Sequence, residues 1–168
     1  WTMNGTGIYV NSTSTSQNPQ YIFDSCGTHN VTLEVTDANG CVTSITIPIE
    51  VWCNPIANFT APPLCFDDQP MILTDASIGI SATVSQWNWN MGGTGSYLSG
   101  TSTSQNPQFS YDSCGVYYVT LIVTDDNGCN DTITQTVEVY CEPTASFTYQ
   151  AACVGDSTVF ESTSPGNI

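Results

Sequence analysis

The chain has no lysine, no arginine and a single histidine, set against 15 acidic residues in 168. With a formal charge of −15 and no lysine or arginine, it lacks what holds phosphate backbones or anionic lipid, which argues strongly against either as a partner. The same lack removes the electrophilic clamps of many active sites, and one histidine cannot supply a repeated acid–base dyad. No Cys-x-x-Cys pair occurs, which argues against zinc-finger and thioredoxin-like chemistry. No apolar run approaches the ~20 residues a helix needs to cross a bilayer, and no leader-like segment is evident. Charged residues of any kind make up only 9%. Ser, Thr, Asn and Gln must therefore solvate the surface, as in an extracellular or glycosylated protein.

What the chain does have is cysteine and repetition. Eight cysteines in so short a sequence point to disulfides and an oxidising, extracellular setting. They recur in step: Cys114 minus Cys26, Cys129 minus Cys41, Cys141 minus Cys53 and Cys153 minus Cys65 each give 88. The offset pairs Trp1 with Trp89 and runs without a gap to Ile80 and Ile168, with roughly half the paired residues identical. A period this long is a small domain, beyond the ~20–50 residues of a solenoid turn. About 88 residues bury only a modest core, which staples would help.

The best-marked stretch runs from Asn106 to Cys129. Strict alternation places Tyr117, Val119, Leu121 and Val123 on one face, and Tyr118, Thr120, Ile122 and Thr124 on the other. Asp126-Asn127-Gly128 supplies the positive-φ residues of a tight hairpin, and alternation resumes through Ile133, Val137 and Val139. Earlier strands are expected at Ala57–Thr60, Met71–Thr74 and Thr83–Met91, with an edge strand at Tyr97-Leu98. About seven short strands in one such unit predict a β-sandwich.

The Trp-x-Trp strand, the Asn-Pro-x-Phe/Tyr turn, and Gly-x-Tyr-x-Val-Thr-Leu-x-Val-Thr-Asp-x-Asn-Gly together resemble the polycystic-kidney-disease (PKD) type domain. The cysteine-bearing form is similar to arrays in Bacteroidetes cell-surface proteins. The resemblance implies an all-β fold of tandem immunoglobulin-like antiparallel sandwiches, non-catalytic and extracellular. It divides the chain into the C-terminal part of one domain (1–53), a complete domain (54–141) and the first strands of a third (142–168). One departure stands out: Gly92-Gly93-Thr94-Gly95 occupies the place of the family's Gly-Asp-Gly, so no role of that aspartate carries over. Residues 1–53 and 142–168 together amount to one sandwich lacking the eight residues matching Ser81–Asn88. A half sandwich exposes its core face and sheet edges. The expectation is therefore either a window of a longer array or strand exchange between subunits, head to tail.

In a sandwich of this type Cys65 and Cys114 are expected at one end, with Cys129 and Cys53 at the other. The strand from Val116 to Thr124, about 30 Å long, keeps Cys114 from Cys129, given the ~7 Å limit between bridged Cα atoms. The expected bridges are Cys65–Cys114 within the domain and Cys53–Cys129 across the linker, with Cys65–Cys141 as the alternative. By the same rule Cys26 and Cys41 need partners equivalent to Cys153 and Cys141 on a preceding unit.

Candidate glycosylation positions are the sequon residues Asn4, Asn11, Asn30, Asn58 and Asn130. Thr132 and Ser157 lie in motifs that resemble Bacteroidetes O-glycan sites. Asp125 and Asp126, like Asp67 and Asp68, form oxygen-rich turns of a kind that calcium uses, although the hairpin alone explains Asp-Asn-Gly. No cofactor is expected. His29 matches Tyr117 and is expected to be packed. Trp87 and Trp89 are either core or a sugar-stacking platform, core being the commoner use. Tyr118 and Ile122, outward-facing and apolar, are candidates for contact with a neighbouring domain. The function expected is a structural repeat of an extracellular fibre or surface stalk, with identical subunits or neighbouring repeats and covalent glycans as partners. The rival is an adhesive or carbohydrate-binding accessory module of a secreted hydrolase or adhesin.

Overall fold

The structure, a computed structural model, describes residues 1–165. It is built from β-strands, nearly all paired antiparallel, and one turn of 3-10 helix at Phe66–Asp68. The N-terminal stretch forms β1 (Thr2–Met3), β2 (Gly7–Tyr9), β3 (Tyr21–Phe23), β4 (Gly27–Thr36) and β5 (Val42–Val51). β4 and β5 make a ten-rung hairpin from Gly27↔Val51 to Thr36↔Val42, and β1 flanks β4. β2 pairs with β3. Asn39-Gly40 closes the hairpin, as the Asn-Gly signal requires.

The following strands are β6 (Phe59–Thr60), β7 (Leu64–Cys65), β8 (Met71–Ile72), β9 (Thr74–Asp75), β10 (Val84–Asn90), β11 (Gly95–Ser99), β12 (Gln108–Tyr111), β13 (Gly115–Asp125) and β14 (Asn130–Tyr140). One sheet has the order β10-β13-β14-β7, another β11-β12-β8, and β6 pairs with β9. β7 lay outside the expected strands. It pairs parallel with the end of β14, Tyr140 opposite Cys65, and two residues are too few to show a period. Last come β15 (Phe147–Tyr149) and β16 (Phe160–Ser162), an antiparallel pair.

The chain packs as two compact units, and β10, β13 and β14 contribute to both. One holds Trp1–Asn58, Ala76–Trp87 and Ile122–Thr132; the other holds Phe59–Asp75, Asn88–Leu121 and the chain from Ile133 onward. In the second unit the alternation of β13 and β14 comes out as read. Val119 and Leu121 are fully buried with Val137, Val139, Phe59, Met71, Leu73, Phe109 and Tyr111, whereas Tyr118 is exposed. Trp89 is buried edge-on to Phe59, ring centroids 5.1 Å apart, and its indole N–H donates to the Ser104 carbonyl at 2.8 Å. That assigns Trp89 to the core. Trp87 is half-buried.

The repeat is copied in three dimensions, with one amendment. Trp1 donates to Ser16 as Trp89 does to Ser104, and the Thr32–Thr46 hydroxyl pair matches Thr120–Thr134, both at 2.8 Å. Past Cys153 the offset drops to 87. Phe147 pairs with Ser162 where Phe59 pairs with Asp75, and 162 minus 75 is 87. The Ser146 N–H donates to Ser164 Oγ as Asn58 N–H does to Ser77 Oγ. The ungapped alignment to Ile168 is thus corrected: the loop between Cys153 and Phe160 is one residue shorter than its counterpart. Identity there is too low to locate the gap, and only the ladder does.

Candidate functional site

Two hairpin turns show how local chemistry fixes the ends of the long strands. In each an aspartate opens the turn and caps it. Asp37 Oδ1 accepts from the N–H groups of Asn39 and Cys41, and Asp125 Oδ1 from those of Asn127 and Cys129. Only the glycine has positive φ, +83° at Gly40 and +84° at Gly128. The turn is therefore a type I turn followed by a left-handed glycine, not the doubled positive-φ turn expected from Asn127-Gly128. The Cys41 N–H, chiefly, holds the Asp37 carboxyl below its ordinary value against some desolvation. Asp125 is buried, and its Oδ2 has no hydrogen-bond partner among the described residues. Asp126 is exposed. Among the described residues, no group of three or more His, Cys, Asp or Glu side chains is gathered to hold a metal ion.

The cysteines pair otherwise than expected. The bridges are Cys26–Cys53 and Cys114–Cys141, each with Cα atoms 5.0 Å apart. This overturns Cys65–Cys114, Cys53–Cys129 and the alternative Cys65–Cys141, and it gives Cys26 a partner in its own chain. The reason is the hairpin itself. Folding back on a central turn brings the residue before the first strand beside the residues after the second, and Gly27 opposite Val51 sets Cys26 next to Cys53. Cys41, Cys65, Cys129 and Cys153 remain thiols. Burial, reinforced by Glu142, Asp68 and Asp67, pushes the Cys65 thiol up.

Aromatic side chains stack in matching series. Tyr97, Phe109, Tyr111 and Tyr117 form edge, edge and stacked contacts, the last at 3.7 Å. Tyr9, Tyr21, Phe23 and His29 repeat them, ending in a stacked Phe23–His29 pair at 4.3 Å. His29 is buried, its Nδ1 3.1 Å from the Asn4 carbonyl oxygen and its Nε2 2.9 Å from that of Ser25. Both ring nitrogens are occupied by backbone, a packing role. Tyr111 is buried with its hydroxyl donating to the Met91 carbonyl, and burial raises its pKa.

The feature with no counterpart in the buried core is an open face on the N-terminal sheet. Trp1, Val31, Leu33, Ile45, Ile47 and Ile49 line a cavity of about 200 Å³ whose wall is almost wholly apolar. Val35 is 49% exposed where its counterpart Val123 is 0%, and Ile49 is 37% exposed against 4% for Val137. Every candidate glycosylation residue is solvent-exposed: Asn4, Asn11, Asn30, Asn58, Asn130, Thr132 and Ser157. Tyr118 and Ile122 are exposed too.

A family model described as "PKD domain" matches residues 52–141, more than half the chain. The chain belongs to the PKD domain family. Among solved structures, the PKD1 domain of Vibrio anguillarum Epp is 26% identical; the match covers 55% of this chain and 100% of that one, with a TM-score of 0.47. The PKD1 domain from Vibrio cholerae metalloprotease PrtV is 31% identical over 52% of this chain and 98% of its own, with a TM-score of 0.43. No curated protein matches. Within the PKD domain the family's Gly-Asp-Gly position is taken by Gly92-Gly93. Gly92 has φ +68°, and a Cβ there would lie 2.3 Å from the Tyr118 carbonyl oxygen. Backbone approach, not an acidic side chain, governs this corner. Among the described residues no helix is long and apolar enough to cross a membrane.

Sequence reasoning missed the individual residues of the open face. A signal was present: β5 reads Ile45, Ile47, Ile49, Val51 where β14 reads Ile133, Gln135, Val137, Val139. That strand face is more apolar than its own buried copy.

Proposed function

We propose that the chain is a structural repeat of an extracellular fibre or cell-surface stalk, a head-to-tail array of disulfide-clamped PKD domains with boundaries near residues 53 and 141. One observation carries this reading. The β1-β4-β5 sheet reproduces the geometry of β10, β13 and β14, yet leaves its core face open. A sheet built to be half of a sandwich is at rest only when the other half arrives. The two disulfides support an oxidising, extracellular location. The exposed Asn and Ser/Thr positions support a glycan coat, which would solvate a surface poor in charge. Catalysis has no place in this reading: there is no Lys or Arg, and the one histidine is tied to two carbonyls. The rival, a carbohydrate-binding accessory module, needs an open aromatic platform, and the buried Trp89 does not supply one. Electron microscopy of the native material tests the proposal. Filaments with a regular axial beat of one domain per 88 residues are expected; isolated monomers would contradict it.

A further inference from the structure

We infer that Asn39-Gly40 and Asn127-Gly128 are latent modification sites, and that Asp37 and Asp125 are the brakes that keep each pair from closing to a succinimide. The inference is independent of the fibre reading, since each turn simply joins two paired strands of this chain.

An asparagine followed by glycine carries its own reagent. The glycine nitrogen attacks the asparagine Cγ, a C–N bond forms, the bond from Cγ to the side-chain nitrogen breaks, and ammonia leaves with the glycine N–H proton. Water then opens the imide at one carbonyl or the other, leaving aspartate or isoaspartate. Glycine favours the attack because it has no side chain to obstruct it. The surroundings do not obstruct it either: nothing lies within 4 Å of where a Cβ would sit at Gly40 or Gly128. Both glycines are exposed, so water for the second step is at hand. Crowding gives these sites no protection, and bonding must supply it.

In each turn one aspartate gathers three consecutive N–H groups. Asp37 Oδ1 accepts from Asn39 at 2.9 Å and Cys41 at 2.8 Å, and the Asp37 carbonyl accepts from Gly40 at 3.1 Å. Asp125 Oδ1 accepts from Asn127 at 3.0 Å and Cys129 at 2.9 Å, and its carbonyl from Gly128 at 3.0 Å. The asparagine holds the second corner of a type I turn, where ψ is about 0°. Attack needs an extended ψ, which swings the glycine nitrogen toward Cγ. That rotation breaks the glycine bond and draws the cysteine N–H off the carboxylate. The nitrogen must also shed its proton, and here a carbonyl already holds that proton. The aspartate therefore opposes both requirements. The brake works once: isoaspartate routes the main chain through the side chain and adds a methylene to it. The three N–H groups then no longer face one aspartate, and a further negative charge joins a chain already at −15.

The test follows amide loss and isoaspartate at each asparagine by peptide mass spectrometry, in the full oxidised chain held at mildly alkaline pH. Folded wild type is expected to react at Asn39 and Asn127 at least about tenfold more slowly than the same chain in urea, because bonds to a charged acceptor must first break. Asp37→Ala is expected to speed Asn39 by about tenfold and to leave Asn127 unchanged. Asn4-Gly5, where Thr2 stands in place of the aspartate, is expected to be indifferent to the substitution. Asp37→Asn keeps an oxygen acceptor at the same place and is expected to stay close to wild type. Wild-type rates equal to those in urea, Asp37→Ala as slow as wild type, or Asp37→Asn as fast as Asp37→Ala would each overturn the proposal. Equal acceleration at Asn39 and Asn127 in Asp37→Ala would mark loss of the fold, not of the cap, and would overturn it too.

Discussion

At the scale of single residues, the two aspartate-capped turns do the most with the least. Asp37 and Asp125 each spend one carboxylate oxygen on two backbone N–H groups that the turn would otherwise leave unpaired. Because the folded-state pKa of Asp37 lies below its ordinary value, its contribution is complete above the ordinary aspartate range. It is lost as pH falls through the lowered folded value. Amide shifts of Asn39 and Cys41 followed by NMR are therefore expected to move with a midpoint below about 3.9, the value for a free aspartate. A midpoint at or above it would contradict the bonding described. Asp-x-Asn-Gly was plain in the sequence because the turn's chemistry is local. That only the glycine carries positive φ was not, since Asn serves both kinds of turn.

At the scale of elements, the long hairpins were legible and the bridges were not. Alternation from Tyr117 to Val123 identified the buried face because period two is fixed by the pleat. Cysteine pairing depends on which strand ends meet. The length of β13 keeps Cys114 away from Cys129, while the strand that folds back beside it, β14, ends next to Cys114. Its partner, Cys141, follows from hairpin register alone. Each bridge clamps the open end of a hairpin across 27 residues of sequence. Replacing Cys114 and Cys141 by serine is expected to cost about 2–4 kcal/mol of stability, read as a lower urea midpoint. An unchanged midpoint would mean the hairpin end is held by its ladder alone. β7 and the shortened loop before Phe160 stayed hidden for a different reason: both are settled by contacts distant in sequence.

At the scale of the whole molecule, the open face of the N-terminal sheet and a formal charge of −15 dominate. Neighbouring units of the proposed head-to-tail array must overcome like-charge repulsion, with no lysine or arginine on either side to offset it. Raising ionic strength from 0.01 to 0.15 M shortens the screening length from about 30 to about 8 Å. The concentration needed for assembly is expected to fall several-fold over that range by sedimentation. Salt that weakens assembly would point to ion pairing this chain does not possess.

The central claim is that the chain is one stretch of a head-to-tail array of PKD domains, and electron microscopy of the native material tests it most directly. Filaments with a regular axial beat of one domain per 88 residues are expected. Isolated globular monomers would contradict the account.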